Sequence, residues 1–188
     1  MWLTEQSKAK GATKYDLSKR GLTTINFRTF ESSPEVEILD LSNNWLGYYA
    51  KKPFSWANLF DCFAPLQISV FHTLSNLREL YLQRNIFEYL TPGVFNGLIN
   101  LRILRLGHNL FTTLEENLFY GLERLEELNL QYNRLKDLSG EIFDGLPHLK
   151  GLYLEPQSVN GLSKEQIREF KMKADQNKDT CGIFKIIS

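Results

Sequence analysis

The chain has 188 residues, in which 22 Lys and Arg balance 22 Asp and Glu and 43% of residues are hydrophobic. Those figures suit one globular domain, exclude wholesale disorder, and remove the electrostatic drive for non-specific binding to nucleic acid or an anionic membrane. Two cysteines, Cys62 and Cys181, are too few for a disulfide scaffold and lack the paired spacing of a zinc site, and no apolar run reaches transmembrane length. The first stretch, Met1 to Gly11, has no apolar segment of signal-peptide length and is expected to be an N-terminal cap.

From Ala12 onward the leucines fall into a repeat, and such periods decide the fold before any local reading does. Leu77, Leu101, Leu125 and Leu149 start successive units of 24 residues. Leu80, Leu104, Leu128 and Leu152 follow at the fourth position, and Leu82, Leu106, Leu130 and Leu154 at the sixth. Asn85, Asn109 and Asn133 take the ninth. The eleventh falls to Phe87, to Leu110 or Phe111, and to Leu135, while Leu90, Leu114 and Leu138 hold the fourteenth. Phe95, Phe119 and Phe143 take the nineteenth, ahead of Leu98, Leu122 and Leu146. The register runs backwards through Val36, Leu39, Leu41, Asn44 and Leu46, and faintly through Tyr15, Leu17, Leu22, Ile25 and Phe30.

This pattern, L-x-x-L-x-L-x-x-N-x-L, resembles the leucine-rich repeat family, in the 24-residue form seen in Toll-like receptors and lamprey variable lymphocyte receptors. The resemblance spans about Ala12 to Asn160 and implies an α/β solenoid, a right-handed horseshoe with a parallel concave sheet and a short helical or irregular convex side. Elementary physics agrees. The segment x-L-x-L-x alternates with period two and reads as a strand with one apolar face. Alone it cannot bury that face, whereas stacked units can, and the Asn amide can satisfy backbone groups enclosed in the turn. About six units are expected over residues 12–160.

The ends break the pattern. Arg20 and Gln157 stand where the Asn should be. Ser163 to Gln166 has capping-box spacing, which predicts a C-terminal capping helix with Ile167, Phe170 and Ala174 on one face. Thr180 to Ile187 reads as a last strand, completing a cap over 161–188. The disulfide-bonded caps of extracellular family members have no counterpart here, and no Asn-x-Ser/Thr sequon occurs. An intracellular, cytoplasmic setting is therefore expected.

One unit is longer: Val36 and Leu77 are 41 positions apart instead of 24. Leu46 before it and Leu66, Phe71 and Leu74 after it keep register, so the insertion lies within 47–65. It is rich in aromatics. Pro53 is expected to start a short helix that folds Trp56, Phe60 and Phe63 onto the core around a buried Cys62 thiol, leaving Tyr48, Tyr49 and Lys51 facing outwards as a second contact.

Strand positions between the leucines must point away from the core. The fifth column holds Asp16, Asp40, Tyr81, Arg105, Asn129 and Tyr153, the seventh Ser18, Ser42, Gln83, Gly107, Gln131 and Glu155, and the eighth Lys19, Asn43, Arg84, His108 and Tyr132. Tyr and Arg are the types enriched at protein interfaces. The expected partner-binding residues are Tyr81, Arg84, Arg105, His108, Asn129, Tyr132 and Tyr153, with Tyr48 and Tyr49 from the insertion. Charged residues of the second and third columns (Glu37, Arg78, Arg102 and Glu126, then Glu79 and Glu127) are expected to pair between neighbouring strands.

No Gly-rich phosphate loop, metal-spaced His or Cys set, or convergent triad occurs, so neither catalysis nor a cofactor or metal is expected. The expected function is a non-enzymatic, monomeric scaffold for protein–protein interaction through the concave face, with no nucleic acid or membrane partner. Two alternatives stand beside it: a secreted bacterial effector using the same surface on a host protein, and a structural subunit that self-associates through the insertion.

Overall fold

The computed structural model describes residues 12–47, 66, 70–136, 138–155, 163–165, 168 and 185–186. Each unit contributes one strand of three or four residues, because the fourth-position leucine turns inward between two outward neighbours. The strands are β1 (Lys14–Asp16), β2 (Ile38–Asp40), β3 (Glu79–Tyr81), β4 (Ile103–Arg105), β5 (Glu127–Asn129), β6 (Gly151–Leu154) and β7 (Lys185–Ile186). They form one parallel sheet in chain order. Register is held by the apolar column: Tyr15 faces Leu39, Leu39 faces Leu80, and so on through Leu104 and Leu128 to Leu152. A one-residue slip would send every core leucine to solvent.

The core fills in columns as expected. The first-, fourth- and sixth-position residues from Val36 to Leu154 are all buried, and so are the faint early set Tyr15, Leu17, Leu22, Ile25 and Phe30. At the eleventh position Phe87, Phe111 and Leu135 are buried, which resolves the choice at the fourth unit in favour of Phe111 over the half-buried Leu110. Phe30 stacks on Phe71 and Phe95 on Phe119, each at 6.3 Å between ring centroids. Leu66, Phe71 and Leu74 are buried in their columns, so the chain rejoins the register on leaving the insertion.

The ladder Asn works as its chemistry requires. Asn109 Nδ2 donates to the carbonyls of Leu106 in its own unit and Leu82 in the unit before, both at 3.0 Å. Its Oδ1 accepts from the Phe87 N–H at 3.2 Å. Asn44, Asn85 and Asn133 repeat this arrangement. At the first unit, where Arg20 replaces Asn, the backbone N–H of Arg20 itself donates to Asn44 Oδ1 at 3.0 Å.

The side opposite the sheet is built of turns, with two short 3-10 helices, Phe27–Phe30 and Gly140–Phe143, capped by Asn26 and Ser139. Glycine is required at Gly97, whose φ is +89 and where a Cβ would sit 2.8 Å from the His72 carbonyl oxygen. After Ser163, residues Lys164, Glu165 and Arg168 are helical, in line with the capping helix, and β7 extends the sheet beyond β6 within the predicted last strand. No helix among the described residues is long and apolar enough to cross a membrane.

Candidate partner-binding surface

Parallel register carries the fifth-column side chains of β3 to β6 into one row on the outer face of the sheet. Tyr81 Oη donates to Glu79 Oε2 at 2.6 Å. The Arg105 guanidinium lies 5.9 Å from the Tyr81 ring centroid and places Nη2 2.8 Å from Glu127 Oε1. Glu79, Tyr81, Arg105 and Glu127 thus form one continuous polar chain across three strands. Asn129 turns inward on its own backbone instead, accepting from the Gln131 N–H at 3.0 Å. Gly107 makes the room for this, since a Cβ there would come within 2.8 Å of Asn129 Oδ1. Tyr153 lies over Gly151, 3.4 Å from where a Cβ would stand.

One expectation needs correction. The second-column charges do pair between strands, Glu37 with Arg78 at 3.6 Å and Arg102 with Glu126 at 2.9 Å. The third-column Glu79 and Glu127 do not pair within that set but serve the fifth column, because their side chains share its face of the pleat. The three tyrosines of this face differ in exposure: Tyr81 and Tyr153 are half-buried between neighbouring rows, and Tyr132 is open, at 55%.

The eighth column carries a feature that periodicity does not reveal. Lys19, Asn43, Arg84, His108 and Tyr132 all adopt left-handed backbone, with φ between 54° and 57°. For non-glycine residues this costs roughly 1–2 kcal/mol each. The conformation aims each N–H at the next unit. Arg84 and His108 donate to the carbonyls of Gly107 and Gln131, at 3.0 and 2.8 Å, and the Tyr132 N–H donates to the Glu155 carboxylate. The turn recurs in five units, so it belongs to the repeat geometry, but its consequence is local. It lifts His108 and Tyr132 to the rim, where their rings stack at 4.2 Å and 18°.

Electrostatics follow from this packing. Burial, then the hydrogen bond to Glu79, pushes the Tyr81 phenol up to about 12. A raised folded pKa means the stabilisation is complete below the ordinary value of about 10 and is lost as pH rises through the folded one. Tyr81→Phe should therefore remove a late component, near pH 12, from the absorbance titration of the tyrosines and lessen the loss of stability between about pH 10 and 12. An unchanged titration would show that Tyr81 is solvated. Burial and then Arg84 hold the His108 imidazole below its ordinary range, against a smaller opposite pull from Glu155.

Of the expected residues, the structure brings Tyr81, Arg84, Arg105, His108, Asn129, Tyr132 and Tyr153 onto one face, and Tyr48 and Tyr49 lie outside the described residues. Glu79, Glu127 and Glu155 belong with them. Their seats at the third and seventh positions, which alternate outward together with the fifth, are the sequence signal for them. No group of His, Cys, Asp and Glu among the described residues is arranged to hold a metal ion.

The leucine rich repeat family model matches residues 75–135, 99–159 and 123–171, which together span more than half of the chain. The chain belongs to the leucine-rich repeat family. No curated protein matches it in sequence. Among solved structures it is similar to a chain of the TLR13–ssRNA13 complex, at 29% identity and a TM-score of 0.63, covering 79% of this chain and 19% of that one. It shares its fold with a chain of the Toll–Spatzle complex of Drosophila (19% identity, TM-score 0.59, 72% of this chain and 16% of that one). The same holds for a chain of the octameric complex of Latrophilin 3, Unc5D and FLRT2 (21% identity, TM-score 0.59, 77% and 39%). The leucine-rich repeat chain thus spans less than half the length of each structure it resembles.

Proposed function

We propose that this leucine-rich repeat chain is a non-enzymatic module that binds a protein partner across the concave sheet, centred on Arg84, Arg105, His108 and Tyr132. The fold serves protein–protein interaction in general. The observation that carries the assignment to this face is its open aromatic stack: the His108 and Tyr132 rings lie 4.2 Å apart, and Tyr132 is 55% exposed. An exposed aromatic pair beside Arg84 and Arg105 has the residue types of a protein interface, where Tyr and Arg are enriched. TLR13 is bound to a single-stranded RNA in its complex. Here the carboxylates of Glu79, Glu127 and Glu155 stand among the cations, which favours a protein over a phosphate backbone.

Charge reversal at Arg105 is a poor test, because it would set two carboxylates face to face beside Glu127 and disturb the fold. Tyr132→Gly is cleaner: glycine accepts a φ of 57° without strain, while the exposed ring is lost. In affinity capture with mass spectrometry, a partner retained by wild type should bind the variant about 30-fold more weakly, the loss of one hot-spot aromatic. Equal capture by a folded variant would remove this surface from consideration.

A further inference from the structure

Away from the concave face, the edge where the inter-unit loops enter the strands carries a cavity of about 210 Å³ lined by Arg102, Arg124, Glu126, His148 and Lys150. Repeat spacing builds it. Arg102, Glu126 and Lys150 occupy the second position of three successive units, and Arg124 and His148 the last position of the two units between them. Glu126 uses one oxygen for each neighbour: Oε1 accepts from Arg102 Nη1 and Oε2 from Lys150 Nζ, both at 2.9 Å. Arg124 is held independently, donating from Nη1 to Asn100 Oδ1 at 2.6 Å, while Asn100 Nδ2 donates to the Ser75 carbonyl at 2.8 Å. Three cations are thus each fixed by an acceptor around one opening, with a single carboxylate to balance them. The excess is two positive charges in a chain whose formal net charge is zero.

We propose that this cavity is a binding site for a doubly charged oxyanion, a phosphate group. A dianion matches the excess charge, and guanidinium groups offer forked donors to phosphate oxygens in addition to the bond each already makes. The donors are held before a ligand arrives, so little side-chain freedom remains to be lost on binding. Glu126 does not oppose the ligand as a bare charge, because both its oxygens are engaged by cations. The same chemistry would accept free phosphate or a phosphorylated side chain on a protein, and the site is separate from the concave surface proposed above.

The test is a titration of the 15N-labelled chain with inorganic phosphate, against sodium chloride at matched ionic strength, followed through the arginine side-chain and backbone signals. Phosphate should produce saturable shifts at Arg102, Arg124 and Lys150 with a dissociation constant in the millimolar range, whereas chloride should not. Arg124→Gln removes an exposed donor without touching the core and should weaken phosphate binding about tenfold. Arg134→Gln, outside the cavity, should leave it unchanged. A peptide Ac-Gly-phosphoserine-Gly-NH2 binding more tightly than phosphate, with the unphosphorylated peptide silent, would assign the site to a modified protein. Equal affinity would assign it to the free ion. Identical responses to phosphate and chloride, or an Arg124→Gln variant that binds phosphate like wild type, would overturn the proposal.

Discussion

Replacing Asn109 by alanine should lower the free energy of unfolding by about 3 kcal/mol, measured by urea denaturation. The side chain is 3% exposed and holds the carbonyls of Leu82 and Leu106 and the N–H of Phe87. All three backbone groups sit inside the turn; deleting the amide orphans the Phe87 N–H, at about 1–3 kcal/mol, and strips one of two donors from each carbonyl, leaving Leu82 to Asn85 and Leu106 to Asn133. The damage crosses the unit boundary, because Leu82 and Phe87 belong to the preceding repeat. In a solenoid whose stability is a sum of unit and interface terms, this one substitution weakens both. Asn129→Ala is the matched control: its amide bonds are local and partly exposed, and its cost should stay below about 1 kcal/mol. Equal costs at the two positions would show that the ladder is not a structural spine.

Phe119→Ala should cost about 4 kcal/mol, by a different mechanism. The ring is 1% exposed and lies against Phe95 at 6.3 Å and 15°. Truncation removes apolar burial and leaves a void between stacked turns that the rigid strand spacing cannot close. Phe119→Leu should recover much of the loss. The double variant Phe95→Ala/Phe119→Ala should cost less than the sum of the singles, since the second truncation enlarges a cavity already open. Additive losses measured by thermal and urea unfolding would show that the two rings stabilise separate units.

Much of the fold is legible in residue spacing. A column of leucines at the first, fourth and sixth positions leaves one way to bury them all, so strand pairing, register and the inward Asn follow from the period alone. Even the insertion is bracketed, because Leu66, Phe71 and Leu74 resume their columns and are buried there. The candidate surface is legible only as a set of positions. Alternation says that Tyr81, Arg105 and Tyr153 leave the core, but not that Tyr81 is half-buried against Glu79 while Tyr132 stands open. Those outcomes depend on the neighbours one unit away, including the missing side chain of Gly107, which lets Asn129 fold inward.

The sequence by itself therefore determined the solenoid, its parallel sheet and the identity of its core, because hydrophobic burial is additive and repeats with the chain. Only the tertiary structure decided which outward residues act together. The left-handed turn at the eighth position, the His108–Tyr132 stack, and the gathering of Arg102, Arg124 and Lys150 around Glu126 each join residues of different units. Such contacts are set by directional hydrogen bonds and charge pairs between adjacent units; the period gives the positions of the residues but not which of them meet.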